Sequence, residues 1–241
     1  MSEARNMCRV KVYYQNGDFN RTIYTSKPND KLSSITVCKS GCLNLMVGDL
    51  TNNRIMKTND LDEGKEWSEF INVEKPILIS DMKFYNGYLI VGTDSCIQLY
   101  DIRGKLIWTN KTFTASKVAC LFNGTIVFID SKDGIIKLLN GKDGEILKCF
   151  PSLKGNDSIT CFSNNQFLTT YAEKNQVVIY DKDGNHCGTL QIWLPETIEY
   201  KNAKYPIMAA HIGTKLYITC YCKKDGAMAE KGGLFLFESL Q

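Results

Sequence analysis

The cysteines and histidines of this 241-residue chain are the side chains best suited to bind metals or to react. Cys220 and Cys222 are two residues apart, so on a strand both thiols point to one face of the sheet. Cys38 and Cys42 lie on either side of a turn. A structural zinc site needs four closely spaced ligands, and neither pair has a second pair nearby in sequence. Sheet packing is therefore the favoured interpretation, and the sequence predicts no metal and no cofactor.

The sequence motifs of common catalytic sites are absent. His186 and His211 are the two histidines, and the chain has no motif for a serine nucleophile, a phosphate-binding loop or a zinc protease. Acidic segments at 60–64, 143–145 and 181–184 contain the Asp and Gly of calcium loops without the EF-hand spacing. Asp and Gly are also the residues that tight turns require. The sequence therefore predicts no catalytic residues, and that the chain is not an enzyme.

Composition excludes several protein classes. The 29 basic and 26 acidic residues give a net charge of +3, which does not indicate nucleic acid as a partner. Hydrophobic residues make up 44% of the chain, enough for a large core, yet no apolar run is long enough for a membrane span. The first residues lack the apolar segment of a secretion signal, so we expect a cytoplasmic or nuclear protein that is not secreted. The ten cysteines are then expected to be reduced.

The elements that carry these residues recur along the chain with a period of about 43 residues. Segments 88–108, 125–147 and 166–190 each begin with an apolar strand and a polar turn. A second, alternating strand follows and ends in an aromatic residue or Leu plus Asp or Asn, and a Gly turn then leads to a third strand. A further strand precedes each segment, and these strands are Ile79–Tyr85, Lys117–Phe122 and Ser158–Phe162. The repeat is therefore a meander of four antiparallel strands, named a, b, c and d.

More degenerate copies of the repeat are found at 33–70 and 206–238. The predicted repeats are approximately 33–75, 76–115, 116–155, 156–192 and 206–241, in one domain over 1–241. The last repeat lacks a strand d. Residues 10–25 have the pattern of a strand, a turn and a strand, and a strand from this segment would close the open edge of the last repeat.

The dipeptides at the end of strand c resemble those of a known repeat family. Tyr100-Asp101 and Tyr180-Asp181 stand where WD repeats have Trp-Asp, and Leu139-Asn140 and Phe237-Glu238 are looser versions. Over residues 10–241 the chain resembles the β-propeller superfamily, in a divergent WD-repeat or quinoprotein-like style. The resemblance implies an all-β, five-bladed propeller of four-stranded antiparallel blades. Its ring would be closed by the N-terminal strand or strands pairing with the C-terminal blade.

The resemblance implies a role only by analogy, because a fold does not fix a function. We expect a non-catalytic platform for contacts with other proteins, as a subunit or adaptor of a larger intracellular assembly. The alternative is a propeller that binds a small ligand or glycan in one pocket per blade, but the loops of the repeats differ. A propeller enzyme with a site in the central channel ranks third.

Two segments are longer than the repeat requires, and both lie in connections that open at the same end of the strands. Residues 191–205 form an aromatic connection from strand d to strand a, and residues 223–233 lengthen the turn from strand b to strand c. Long loops on a rigid scaffold commonly bind partners. The candidate interface residues are Trp193, Tyr200, Tyr205, Lys223 and Lys224. The competing interpretation, weighed equally, is that Trp193 packs inward and only stabilises its blade.

Overall fold

The computed structural model describes residues 7–13, 18–28, 31–40, 42–58, 67–72, 78–150, 156–162, 165–171, 174–191, 203–212, 215–224 and 227–238. These residues form antiparallel sheets, and none of them belongs to a helix long and apolar enough to cross a membrane. The chain divides into two compact units, Met1–Thr114 and Ala115–Gln241.

The first unit contains three sheets. Sheet A pairs β1 (Met7–Tyr13) with β2 (Phe19–Pro28). Sheet B consists, in order, of β3 (Leu32–Ser40), β4 (Cys42–Asp49), β5 (Arg54–Thr58) and β6 (Trp67–Asn72). Sheet C consists of β7 (Ile79–Tyr85), β8 (Tyr88–Thr93), β9 (Ile97–Asp101) and β10 (Leu106–Asn110). Sheets B and C are thus four-stranded meanders in which every strand pairs with its neighbour in sequence.

Sheet B is covered on both faces. On one face it packs against sheet C, and the first strands β3 and β7 lie side by side. The buried side chains of this core are Cys38, Met46, Ile55 and Ile71 from sheet B with Ile79, Met82, Leu89, Val91 and Tyr100 from sheet C. On the other face Val10, Ile23 and Leu32 pack on a smaller cluster around Val47 and Trp67. Each fully buried aliphatic side chain contributes about 1.5 to 3 kcal/mol.

The second unit also contains three sheets. Sheet D consists of β11 (Ala115–Cys120), β12 (Ile126–Asp130), β13 (Ile136–Leu139) and β14 (Ile146–Phe150). Sheet E consists of β15 (Asn156–Phe162), β16 (Gln166–Tyr171), β17 (Gln176–Tyr180) and β18 (His186–Gln191). Sheet F has three strands, β19 (Ala203–Ile212), β20 (Lys215–Lys224) and β21 (Ala227–Glu238). The first strands again lie side by side, β11 beside β15 and β15 beside β19.

The core between sheets D and E is the largest described cluster of the second unit. It joins Ala119, Leu121, Val127, Ile129, Ile136, Leu138 and Phe150 of sheet D to Ile159, Phe167, Tyr171, Val178 and Tyr180 of sheet E. Three aromatic rings meet in it: Phe167 stacks on Tyr180 with ring centroids 5.2 Å apart, and Phe150 lies tilted against both. Repetition of the same inter-sheet core explains the repeated apolar pattern in the sequence.

The predicted meander of strands a to d is confirmed in four sheets. The bounds of β7 are those expected from the sequence, Ile79–Tyr85, whereas β11 and β15 each begin two residues before the predicted strand. The Asn-Gly sequence at 86–87 predicts a type I′ hairpin turn between β7 and β8. The structure confirms this turn, because both residues have the positive φ (48° and 85°) that it requires. The all-β class of the chain follows from these sheets.

Ring closure is not confirmed. β1 and β2 pair with each other, through registers such as Val10 with Ile23, and form a sheet of their own. The blade count of five and the pairing of residues 10–25 with the C-terminal sheet therefore stay predictions, as does the single domain over 1–241.

The expectation of a long turn at 223–233 is wrong. Lys223 pairs with Met228 and Lys224 with Ala227, so β20 and β21 continue as one long hairpin. Only Asp225-Gly226 separates the paired ends, and Asp-Gly is a preferred sequence for a two-residue hairpin loop. Gly232 and Gly233 made this segment look like a loop, although both lie within β21.

The turns between strands c and d are held by the residue that ends strand c. Asp101 Oδ1 accepts the backbone N–H groups of Arg103 and Lys105, both at 2.8 Å. Asp181 Oδ1 accepts the N–H groups of Asp183 and Asn185 at 2.9 and 2.8 Å. This explains the Tyr-Asp pairs: the tyrosine enters the inter-sheet core and the aspartate orders the next turn.

Replacing Gly184 by alanine should destabilise the second unit more than the same change at Gly134. Both glycines have positive φ (78° and 70°), which costs another residue about 1 to 2 kcal/mol. A Cβ at Gly184 would also lie 2.6 Å from Phe150 Cε1, whereas nothing lies within 4 Å of a Cβ at Gly134. Overpacking adds about 1 to 3 kcal/mol. Chemical denaturation measures both variants, and equal losses of unfolding free energy would contradict the packing of this turn against Phe150.

Candidate functional site

The residues of the sequence-derived candidate interface fall partly outside the described residues. Trp193 and Tyr200 lie outside them. The backbone of Tyr205 belongs to β19, and Lys223 and Lys224 end β20 as paired hairpin residues. Because two of the five residues lie outside the described part of the chain, the structure does not test the candidate interface, which stays a prediction.

The residues considered for metal or redox chemistry have ordinary surroundings where they are described. His186 is exposed, its Nε2 lies 2.9 Å from Thr189 Oγ1, and its ring packs edge-on against Tyr180. Cys38 and the other cysteines with described side chains are free thiols. Across the described segments, no three His, Cys, Asp or Glu side chains are grouped closely enough to hold a metal ion.

Buried ion pairs close two of the turns between strands b and c. Asp49, which ends β4, is 1% exposed, and its Oδ2 accepts a hydrogen bond from Arg54 Nε at 2.8 Å. Burial alone would raise the pKa of the Asp49 carboxyl, but hydrogen bonds from Asn52 and Arg54 outweigh it and lower that pKa. Removing one partner of a buried pair leaves an uncompensated charge, so this pair fixes the turn.

The corresponding turn of sheet D contains a lysine between two carboxylates. Lys137 Nζ lies 2.5 Å from Asp130 Oδ2 and 2.7 Å from Asp133 Oδ2. Burial would lower the pKa of Lys137, but hydrogen bonds to both carboxylates outweigh it and raise the pKa. The amine is therefore held protonated and paired, which suits a structural role and not that of a nucleophile or base.

Buried tyrosines follow the same pattern in sheets C and E. Tyr100 donates a hydrogen bond to Gln98 Oε1 at 3.0 Å, and burial, with a smaller contribution from Cys96, raises the pKa of Tyr100 to about 12. The hydroxyls of Tyr171 and Tyr180 lie 3.1 Å apart in the core, and burial, reinforced by this contact, raises the pKa of Tyr180. The phenols of Tyr100 and Tyr180 therefore stay neutral at physiological pH.

The edge strands of three sheets contain a β-bulge at their second residue. Ile107 of β10, Leu147 of β14 and Cys187 of β18 have no directly opposite partner on strand c, whereas the residues on either side of each do. A bulge interrupts the alternation of side chains along a strand. Two adjacent side chains are exposed at each bulge, and in β14 the exposure continues through Lys148 and Cys149.

Two of these bulges expose pairs of large aliphatic side chains. Leu106 and Ile107 are 46% and 45% exposed, and Ile146 and Leu147 are 44% and 56% exposed. We refer to these two dipeptides as the apolar bulge pairs. The equivalent pair of sheet E is His186–Cys187, which is also exposed and less apolar. Each pair directly follows a turn from strand c to strand d, so it sits on an ordered support.

Sequence analysis missed the apolar bulge pairs. A signal was present, because two aliphatic residues follow the Gly turn directly, at 106–107 and 146–147, where strict alternation on an edge strand would give one polar residue. Such a dipeptide is equally compatible with a buried strand, so only the register shows that both side chains face solvent.

Comparison with known proteins gives the fold a context. No protein-family model and no curated protein match the chain. Among solved structures, luciferin-regenerating enzyme aligns over 100% of this chain and 86% of its own, with a TM-score of 0.68 and 13% identity. Virginiamycin B lyase from Staphylococcus aureus aligns over 99% of this chain and 79% of its own, with a TM-score of 0.63 and 14% identity. BamB from Moraxella catarrhalis aligns over 87% and 66%, with a TM-score of 0.58 and 14% identity.

These structures are β-propellers built from four-stranded antiparallel sheets. This chain shares the β-propeller fold. At 13–14% identity the likeness carries no activity, substrate or partner to this chain. The four-stranded sheets B to E are accordingly its described blades.

The prediction that the chain is not an enzyme is wrong, because its grounds do not exclude catalysis in this fold. It rested on missing motifs and on the expected fold, but propellers of this fold include two enzymes, the lyase and the luciferin-regenerating enzyme. Propeller active sites can be assembled from residues of several blades, and such sites leave no contiguous motif. The absence of motifs therefore does not argue against catalysis in this fold.

The Asp49–Arg54 pair generates a pH-dependent prediction. The unfolded pKa of Asp49 is near 3.8 and its folded pKa is lower, so its contribution to stability is complete above the unfolded value. That contribution is lost as the pH falls through the folded pKa. Asp49→Asn should lower the unfolding free energy at neutral pH by about 1.5 to 3 kcal/mol, the value of hydrogen bonds to a charged group.

The difference in unfolding free energy between the wild type and Asp49→Asn should shrink as the pH is lowered below 4, because the wild-type carboxyl then also loses its charge. Urea denaturation at neutral pH and near pH 3 measures this difference. Asp143→Asn is the matched control, since the Asp143 carboxylate also orders a turn, through Glu145 N–H at 2.9 Å, but is exposed. A deficit of Asp49→Asn that stays constant with pH would contradict the ionic role.

Proposed function

We propose that this propeller is a rigid platform that binds other proteins, as a subunit or adaptor of an intracellular assembly. The observation that best supports the platform role is the exposure of the two apolar bulge pairs, Leu106–Ile107 and Ile146–Leu147. Monomeric proteins rarely leave adjacent large aliphatic side chains exposed on an ordered edge without a partner to cover them. A platform role is compatible with a catalytic activity elsewhere on the chain.

Rigidity of the supporting turns favours this role. The turn before Leu106 is ordered by Asp101, and that before Ile146 by Asn140 and Asp143, whose side-chain oxygens accept backbone N–H groups at 2.9 to 3.0 Å. Binding to a preordered surface costs little conformational entropy. Aliphatic side chains held this way supply contact area without having to be fixed first.

The aromatic connection at 191–205 is a second proposed contact surface. It leaves strand d at the end opposite to the turns that precede the bulge pairs, so within the second unit the two surfaces are distinguishable by mutation. Trp193, Tyr200 and Tyr205 would supply buried contact area there, with Lys223 and Lys224 affecting mainly the association rate.

Affinity purification of the tagged full chain from its native cells, followed by mass spectrometry, tests the platform role. The variant Ile107→Ser with Leu147→Ser should lose a partner that the wild type recovers, with no loss of melting temperature, because both side chains are already exposed. Cys187→Ser, at the equivalent bulge of sheet E, should retain that partner. The variant Trp193→Ala with Tyr200→Ala tests in the same way whether a partner binds the second surface, the aromatic connection at 191–205.

Retention of every recovered partner by both double variants would contradict a platform role for these surfaces. Loss of a partner together with a large fall in melting temperature would also count against an interface, because it would show that the side chains stabilise the blade instead.

We also propose that the repeats are divergent relatives of WD or quinoprotein-like repeats and that the chain closes into a ring of five blades. Sheet F has three strands where sheets B to E have four, so a strand from residues 10–25 would complete it. Completion would remove an open sheet edge, which otherwise invites aggregation.

Hydrogen exchange followed by mass spectrometry tests this closure. Deleting residues 1–25 should increase amide exchange in 227–238, because the strand that pairs with β21 is then missing. Val10→Ser is the matched control: it weakens packing on sheet B but leaves the N-terminal strand in place, so protection of 227–238 should persist. Unchanged exchange in 227–238 after the deletion would refute closure by the N-terminal segment.

A further inference from the structure

One end of sheet C combines exposed apolar side chains with uncompensated positive charge. β9 ends at Asp101, and Leu106 begins β10 and pairs with Tyr100. The turn 102–105 connects these strand ends. We name this surface the 102–107 patch, which comprises Ile102, Arg103, Lys105, Leu106 and Ile107.

The apolar part of the patch is large for a single turn. Ile102, Leu106 and Ile107 are 39%, 46% and 45% exposed. They lie within six consecutive residues around one turn, so they are neighbours and not scattered single residues. Contiguous exposed apolar surface of this kind marks sites of protein contact.

The charged part of the patch is positive. Arg103 and Lys105 are exposed, and across the described residues neither side chain takes part in an ion pair. The adjacent carboxylate, Asp101, directs its Oδ1 at the backbone N–H groups of these same two residues. The turn therefore presents two exposed cations, and the carboxylate within the turn orders its backbone.

Equivalent turns in the second unit contain more acidic than basic residues, which makes the sheet C turn, with Arg103 and Lys105 beside the single Asp101, distinctive. In sheet E, Lys182 Nζ forms an ion pair with Asp183 at 2.7 Å. In sheet D, Lys142 is accompanied by Asp143 and Glu145 in the same turn. Turn formation alone thus does not require two unpaired cations beside an apolar bulge pair.

The patch is also held in place. Gly104 N–H donates to the Asp101 carbonyl at 3.0 Å, and Asp101 N–H donates to the Lys105 carbonyl at 2.9 Å. A Cβ at Gly104 would lie 2.9 Å from the Phe70 carbonyl oxygen, so the turn rests directly on sheet B. A ligand would meet these side chains in a fixed arrangement.

We propose that the 102–107 patch binds an acidic, apolar peptide segment of a partner protein. Carboxylates of the segment would pair with Arg103 and Lys105, and its aliphatic or aromatic side chains would cover Ile102, Leu106 and Ile107. This rests on the proposed platform role and adds the chemistry of the partner. Nucleic acid and anionic membranes fit less well, because two cations are few for a phosphate surface and the rest of the patch is aliphatic.

Fluorescence anisotropy with a defined probe tests the assignment on the full chain. The probe is a short fluorescein-labelled peptide that alternates Glu with Leu and Phe, and a second peptide carries Lys in place of Glu. Wild-type protein should bind the acidic peptide and not the basic one. Arg103→Glu with Lys105→Glu should weaken binding of the acidic peptide about tenfold or more, equivalent to about 1.4 kcal/mol. The same variant should bind the basic peptide.

Matched controls separate the patch from general charge effects. Lys182→Glu and Lys142→Glu change the same charge in the equivalent turns and should leave the affinity for the acidic peptide within about twofold. Leu106→Ser with Ile107→Ser should weaken binding while keeping both cations, whereas Ile146→Ser with Leu147→Ser should not. Melting temperatures of all variants should match that of the wild type.

Three results would overturn the proposal. The first is no binding of the acidic peptide by the wild type, and the second is equal weakening by the control variants. The third is binding of phosphatidylserine vesicles or single-stranded DNA through Arg103 and Lys105 in preference to the peptide. If native partners are still lost by Ile107→Ser with Leu147→Ser in any of these cases, the platform role stands and only the partner chemistry is refuted.

Discussion

Burial of both faces of every four-stranded sheet is the constraint on which the rest of this structure depends. In β12 all five residues are buried, and in β8 every residue from Leu89 to Thr93 is buried, so strand b has no solvent face. Such a sheet cannot be stable alone, because each face leaves several large aliphatic side chains that need a cover. Within each unit the sheets therefore pack face to face, as B does on C and D does on E.

Face-to-face packing determines which side chains remain accessible to a ligand or a partner protein. Once both faces are covered, what remains for solvent is the outer edge strand and the turns at the two ends of each sheet. At one end, buried ion pairs such as Asp49 with Arg54 and Asp130 with Lys137 close the turns. Their charged groups bind each other and are not presented to a ligand. At the other end, aspartates order the turns with their carboxylates and leave the neighbouring side chains free to face a partner.

The regular parts of the fold could be predicted because local sequence fixes them. Strand alternation and the Asn86-Gly87 turn predicted β7 and β8 almost to the residue, and the repeat predicted the four-stranded meander. Residues 223–233 are predicted as a loop, because their glycines and lysines lack the alternation that marks a strand. In the structure, pairing extends β20 to Lys224 and starts β21 at Ala227.

The candidate site was harder to predict for two physical reasons. A bulge adds one residue to one strand, so it changes which side chains face solvent without altering the local composition. The exposed state of Ile107 and Leu147 is thus a property of register, not of residue type. Charge compensation also depends on side-chain geometry and not on composition, because the Asp101 carboxylate beside Arg103 accepts backbone N–H groups instead of forming an ion pair.

Exposed aliphatic residues on an edge strand would normally be a liability, since an open edge can pair with a strand of another chain. Here the bulge lies at the second residue of the strand, where it shifts the register against strand c and twists the edge. Regular pairing of an added strand across that point would lose hydrogen bonds. Leu106–Ile107 and Ile146–Leu147 can therefore contact a partner through their side chains while the backbone beside them resists strand addition. The coincidence of bulge and apolar pair in two blades thus favours docking through side chains over extension of the sheet.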